Sequence, residues 1–281
     1  MNSIVTFPNR IPTTEFEERR FKVYTDRQLD KIEVIQNLPE ETLFEMKVVA
    51  SVLPFRVNEY VINELINWDK VPNDPIYQLV FPQKGMLKEE HYERMATMHR
   101  EGADKKEIQA VAKEIRDELN PHPAGQMEMN MPELDGEVLD GVQHKYRETV
   151  LFFPAQTCHS YCTFCFRWAQ FVGDKDLKMA STEAEKLHGY LQEHTEVTDL
   201  LVTGGDPMVM KTKNLVQYLE PLLEPEFDHI QTIRIGTKAL TFWPYRFVTD
   251  KDADELIDLF ARLVDAGKHV AIMAHYNHWQ E

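Results

Sequence analysis

The sequence predicts an α/β protein, a partial (β/α) barrel preceded by an all-helical N-terminal region. Two observations carry this. Beyond about residue 145, short and nearly continuous apolar runs alternate with amphipathic stretches, the pattern of parallel strands covered by helices. Before it, apolar residues recur at helical spacing, without strand-like runs. The chain therefore divides into a helical region, residues 1–144, and a β/α core, residues 145–281, whose first four strands are present.

In the first region, residues 27–36 read as a helix stopped by Asn37-Leu38-Pro39, residues 40–53 as a second and residues 58–68 as a third. After a loop holding Pro72, Asp74, Pro75 and Pro82, residues 88–100 are helical, and Asp104 caps a helix running through Leu119. Asn120-Pro121-His122-Pro123 breaks that helix, and the chain to about Gly141 reads as loop. Periodicity of this kind ordinarily marks apolar stripes packed in a core rather than catalysis.

In the second region, residues 149–153, 200–203, 230–235 and 269–273 read as strands. Between them lie helices over residues 182–193, with Thr182 and Glu185 spaced as a capping box, over 214–223, and over 252–266 with Gly267 as the stop. In β/α barrels the working residues sit on loops at the carboxyl ends of strands. The cysteine loop, Gly204-Gly205-Asp206-Pro207, Gly236-Thr237-Lys238 and His275-Tyr276-Asn277-His278 all fall there.

Composition limits the partners. Among 281 residues, 31 Lys and Arg face 47 Asp and Glu, a formal charge of −16 that repels phosphate backbones and anionic lipid. No apolar run approaches the ~20 residues that span a bilayer. Residues 1–8 lack the charged and apolar regions of a signal peptide. The expectation is a cytoplasmic protein without nucleic-acid or membrane partners.

The chain's three cysteines, Cys158, Cys162 and Cys165, lie within eight residues in the spacing C-x3-C-x2-C. Three thiolates can hold three corners of a [4Fe–4S] cubane and leave the fourth iron without a protein ligand. An odd count in an intracellular chain argues against a disulfide framework. A zinc site completed by His159 competes, although His159 directly follows Cys158 and lacks the usual ligand spacing. Inert buried thiols are the third reading.

The spacing, with Phe164 just before the last cysteine, resembles the signature of the radical S-adenosylmethionine superfamily. The resemblance narrows to the lysine 2,3-aminomutase family through several segments in order. These are residues 53–60 (Leu-Pro-Phe-Arg-Val-Asn-Glu-Tyr), Asn73-Asp74-Pro75-Ile76, His144-Lys145-Tyr146, residues 201–207 (Leu-Val-Thr-Gly-Gly-Asp-Pro), residues 233–238 (Ile-Arg-Ile-Gly-Thr-Lys) and residues 275–278. It implies a radical SAM barrel, a [4Fe–4S] cluster on the three cysteines and cleavage of S-adenosylmethionine. It further implies an isomerase that starts a radical 1,2-amino shift on lysine or a related amino acid, fed by an electron donor such as flavodoxin or ferredoxin.

The same resemblance assigns roles to residues. Gly204 and Gly205 present side-chain-free backbone to the amino group of S-adenosylmethionine, and Asp206 adds a carboxylate acceptor; a tight turn is the plainer reading. Arg167 matches an arginine that grips the substrate carboxylate, against the alternative of a surface ion pair. Arg234 and Lys238 stand near the cofactor rim or in satisfied salt bridges. Lys145 and Tyr146 fall in the region that anchors the phosphate of pyridoxal 5′-phosphate, and His275 and His278 line the rim.

The chain also departs from that pattern. The family's pyridoxal lysine, its carboxylates for the substrate amine and its remaining strands lie beyond Glu281. Lys145 and Thr149 stand where the family has arginines, so use of pyridoxal phosphate is left open. A last strand without a neighbour leaves an exposed sheet edge, which favours part of a longer enzyme over a complete divergent protein without aminomutase activity. A zinc-binding module is the reading from another class. The substrate amino acid, homo-oligomerisation and the catalytic residues stay unassigned.

Overall fold

The computed structural model describes residues 19–119, 129–171 and 183–281. The capping residue Thr182, the break at residues 120–123 and the N-terminal residues 1–8 lie outside the described residues.

The first region is not all helical. Strand β1 (Val23–Thr25) pairs antiparallel with β2 (Arg56–Asn58). The expected helix over residues 27–36 is instead two 3-10 turns, Asp26–Lys31 and Glu33–Asn37. Its buried residues Leu29, Ile32 and Ile35 recur every third position, which suits three residues per turn better than 3.6. The expected helix over residues 58–68 is shorter: after the end of β2 the chain is helical over residues 59–65, as a π-helix at Val61–Leu65, and a 3-10 turn Trp68–Lys70 follows. Asn58 explains the change: its side chain accepts from the amide of Val61 at 3.0 Å and donates to the carbonyl of Phe242 at 2.7 Å. Asn58 thus ends the strand, starts the short helix and ties both to Phe242.

Helices α1 (Glu40–Val52), α2 (Pro75–Val80), α3 (Glu89–Glu101) and α4 (Lys105–Leu119) complete this region. Asp74 caps α2 by accepting from the amide of Tyr77, with Pro75 at the first helical position. Asp104 caps α4 as the sequence suggests, accepting from the amides of Lys106 and Glu107. α1, α3 and α4 share a core through Val48, Val49, Met95, Ala112 and Ile115.

The stretch expected as loop up to Gly141 contains a hairpin of β3 (Glu133–Leu134) and β4 (Glu137–Val138), turned by Asp135 and Gly136 with positive φ. The sheet follows, in spatial order β5 (Val142–Tyr146), β6 (Thr149–Ala155), β7 (Asp199–Gly204), β8 (Thr232–Thr237) and β9 (His269–Ala274). β6 through β9 are parallel. β5 is an antiparallel edge strand that sequence periodicity did not reveal, so the sheet begins at Val142.

Helices α5 (Ala184–Glu193), α6 (Thr212–Leu219) and α8 (Ala253–Asp265) cover one face; the short α7 (Ala239–Phe242) follows β8. α6 stops at Leu219 and continues as a 3-10 turn because Pro221 lacks the amide an α-helix needs. Val150, Phe152, Leu200, Val202, Ile233 and Ile235 meet Leu187, Leu191, Leu215, Leu219, Leu256 and Leu259 in one core. The alternate residues, among them Leu151, Leu201 and Arg234, point to the other face and stay half-buried. Among the described residues no helix is long and apolar enough to cross a membrane.

Candidate cofactor site

The cysteine loop leaves the carboxyl end of β6 and is stapled from both sides. On one side the N-terminal region holds it. Arg56 Nε donates to the carbonyl of Cys158 at 2.8 Å, the Tyr161 amide donates to the carbonyl of Arg56, and Ser160 Oγ accepts from the Asn58 amide at 3.0 Å. Thr163 donates through its amide to Leu79 O and through its hydroxyl to Gln78 O, both at 2.8 Å. On the other side the turn after β7 holds it, with Gly205 N donating to Ala155 O and Asp206 N to Thr157 O.

Gly205 has little freedom to be anything else. A Cβ there would lie 2.5 Å from Thr157 O and 2.6 Å from Thr157 N. Gly204 needs φ of +108°, and a Cβ on it would meet Phe153. The Gly pair thus permits backbone to approach backbone across the cysteine loop.

Asp206 is buried and fully engaged. Its carboxylate accepts from Met208 N at 2.9 Å, Thr237 Oγ1 at 2.7 Å and Lys238 N at 2.9 Å. Burial alone would raise its pKa, but the nearby His159 imidazole, the Thr237 hydroxyl and the Lys238 amide outweigh it and hold the carboxyl below its ordinary value. Three structural donors occupy the oxygens expected to accept from a cofactor.

All three thiols are partly buried and free. Burial pushes each of them up, Cys162 to about 12. The charge of Cys165 adds to the shift of both Cys158 and Cys162, and that of Cys162 to Cys158, so the thiols sense one another across the loop. Among the described residues no three His, Cys, Asp or Glu side chains converge on a single metal ion. His159 does not complete a Cys3His set; its Nδ1 sits 3.9 Å from Asp206 and makes no hydrogen bond. Three thiols on one loop supply the donor chemistry of an iron–sulfur cubane with one iron left open. An apolar cavity of about 340 Å³ lies beside Cys162 and Cys165, walled by Leu53, Val80, Phe164, Phe166 and Trp168.

Arg167 lies close to Cys165, and its guanidinium stacks 4.4 Å from the Phe153 ring and 5.0 Å from the Phe166 ring. Burial lowers its pKa, opposed by Cys165. No carboxylate among the described residues pairs with it. Phe164 is half exposed, its ring edge-on to His275 at 6.0 Å. Lys238 is buried under the chain's last residues; its Nζ donates to His275 O, Asn277 Oδ1 and Glu281. His278 Nδ1 accepts from the Gln280 amide.

Three expected cofactor residues stand elsewhere. Arg234 forks onto Asp199, the first residue of β7, toward the amino ends of the strands and away from the cysteines. That places it in a satisfied salt bridge rather than at the rim. Lys145 and Tyr146 are at the tip of the β5–β6 hairpin, also at the amino end, with Tyr146 62% exposed. Arg56 and Asn58, which brace the loop, lie in the family-like segment 53–60; their contacts, more than 100 residues away in sequence, leave no local signal.

No protein-family model matches the chain. Curated relatives do. A protein of Aquifex aeolicus (strain VF5) named "Putative L-lysine 2,3-aminomutase" is 32% identical over 250 residues, 89% of this chain and 55% of that protein. L-lysine 2,3-aminomutase of Bacillus subtilis (strain 168) is 24% identical over 81% of this chain and 40% of its own length. Glutamate 2,3-aminomutase of Clostridioides difficile (strain 630) is 28% identical over 50% of this chain and 30% of its own. The chain spans about half the length of the first of these relatives and less of the others. With the cysteine loop and its clasp in place, these similarities identify the chain as belonging to the lysine 2,3-aminomutase-like radical SAM family, of which it covers part.

Proposed function

We propose that this chain carries the cofactor half of a radical aminomutase, an isomerase acting on a small amino acid. The observation that carries the reading is the cysteine loop: three thiols that sense one another, locked between β2 and the Gly205–Asp206 turn, with Arg167 beside Cys165 and free of any carboxylate among the described residues. Cys158, Cys162 and Cys165 would hold a [4Fe–4S] cluster, which with S-adenosylmethionine supplies one-electron cleavage of a sulfonium to a carbon radical.

The chain's own residues do the positioning. Arg56 and Asp206 fix the loop, so the thiols need not reorganise on loading. Arg167 receives a substrate carboxylate in a bidentate fork, its ring partners keeping the planar guanidinium partly desolvated. The apolar wall of Phe164, Phe166 and Trp168 excludes water beside Cys162 and Cys165. The parallel strands β6 to β9, with working groups at their carboxyl ends, agree with the first part of a radical SAM barrel. A flavodoxin- or ferredoxin-like donor, the amino acid acted on, and pyridoxal phosphate held by a lysine outside this chain complete the reading. A shorter family member that cleaves S-adenosylmethionine without migrating an amino group has the same site and no observation in its favour.

Anaerobic reconstitution with iron and sulfide tests it. The expected result is about four irons per chain and a broad band at about 400 nm, lost when any of the three cysteines becomes Ala. Because burial pushes the thiols up, loading releases protons and strengthens as pH rises. After reduction, S-adenosylmethionine should be cleaved to methionine and 5′-deoxyadenosine. Stoichiometric zinc with no cluster uptake would sink the reading.

A further inference from the structure

A cleft of about 770 Å³ opens behind the cysteine loop and shares no lining residue with the cavity at Cys162 and Cys165. It is basic, on a chain whose formal charge is −16. Its two carboxylates are already used: Asp252 accepts from Arg246 and from the Thr212 amide, and Asp250 accepts from Trp243 Nε1. Of its cations, Arg19 pairs with Glu64, Arg246 with Asp252, and Lys251 is also engaged, but two others differ. The Arg20 guanidinium and the Lys211 ammonium have no partner among the described residues, and Arg56 uses only its Nε, on Cys158 O.

A second observation points the same way. His159 lines this cleft and is only 4% exposed; its Nδ1, 3.9 Å from the Asp206 carboxylate, has no hydrogen-bond partner among the described residues. A buried imidazole on the cleft wall adds a polar group beside the cationic side chains. Phe21 packs edge-on against both His159 and Trp243 and gives the cleft an apolar side. A concavity of this size with a few convergent polar groups is the usual form of a small-molecule site.

We propose that this cleft binds a small oxyanion ligand, one bearing a phosphate or carboxylate group, through Arg20, Arg56 and Lys211, with His159 as a further polar contact. Guanidinium forks and an ammonium point charge are the chemistry that recognises both groups. Because Arg56 also holds Cys158 O, the ligand sits one hydrogen bond from the cysteine loop.

The test needs neither iron nor S-adenosylmethionine, so its result is independent of the aminomutase reading. Pyrophosphate and citrate are titrated calorimetrically at low salt into the protein, its Arg20→Ala/Lys211→Ala variant and an Arg94→Ala control, whose charge lies on α3. The expected result is saturable binding of one ligand per chain by at least one probe, weakened at least twentyfold in the double variant and unchanged in the control. The stronger probe tells phosphate from carboxylate. Amide exchange should slow at residues 157–159 and 208–211 on binding. Arg20 and Lys211 are exposed, so the double variant should keep the parent's melting temperature. Equal affinity in the double variant and the control, or no saturation by either probe, would overturn the proposal. Binding of polyglutamate but of neither small probe would overturn it in favour of an acidic protein surface.

Discussion

Asp206, two residues past the end of β7, accepts a 2.7 Å hydrogen bond from the hydroxyl of Thr237 at the end of β8. Through its own amide it donates to Thr157 in the cysteine loop. One residue thus joins three strand ends, and the cysteine loop inherits the rigidity of the sheet.

Replacing Asp206 by Ala leaves the Met208 amide, the Thr237 hydroxyl and the Lys238 amide without their acceptor. The expected cost is roughly 3 kcal/mol of stability, since each orphaned donor loses its compensation for burial. The pH dependence has a definite sign. The folded pKa is depressed, so the carboxylate stabilises fully above the unfolded value of about 3.9 and the benefit is lost as pH falls through the lower folded value. Urea unfolding midpoints between neutral and acid pH should show this loss in the parent and not in the Ala variant.

Gly205→Ala tests the close approach of backbone to backbone. The added methyl would lie 2.5 Å from Thr157 O, and backbone at both sides cannot give way as a side chain would. A loss of about 1–3 kcal/mol is expected, as for other overpacked sites. Iron uptake on reconstitution should fall with it, because the cysteine loop must shift. Normal uptake with lowered stability would confine the glycine's role to folding.

Arg234→Ala separates a structural ion pair from a cofactor contact. The pair with Asp199 is roughly a quarter exposed, so solvent screens it and its loss should cost about 1 kcal/mol. Cluster loading and S-adenosylmethionine cleavage should be unchanged, because the pair lies toward the amino ends of the strands. A drop in either at unchanged melting temperature would return Arg234 to the cofactor site.

Some of this was legible in the sequence and some was not, for physical reasons. The helices α1, α3 and α4 and the parallel strands carry their pattern locally, as periodicity and caps, and Asp104 caps α4 where the residues say so. β5 escaped because an edge strand with residues such as Gln143, His144 and Lys145 buries too little to show alternation. The 58–68 segment is helical over a shorter stretch than its periodicity suggests, and the contacts of Asn58 to Phe242 and Ser160 are ones that only the fold creates. The cysteine spacing was readable, since ligands on one loop are a local signal. Its braces at Arg56 and Asp206 were not, since a hydrogen bond to a distant carbonyl leaves no trace in composition.

Arg167 offers the sharpest test of substrate binding. Its guanidinium is stacked between Phe153 and Phe166 and meets no carboxylate among the described residues. Arg167→Ala should therefore cost stability only through lost stacking, about 0.5–1 kcal/mol. Binding should suffer more. A charge-assisted fork onto a carboxylate contributes about 1.5–3 kcal/mol, so affinity for L-lysine or L-glutamate should fall roughly tenfold to a hundredfold. Arg167→Lys keeps the charge and loses the fork, and should fall between. The decisive comparison is with an amino-acid amide, which lacks the carboxylate and should bind the parent and both variants alike. Equal losses for acid and amide would mean that Arg167 holds the wall of the cavity rather than the substrate.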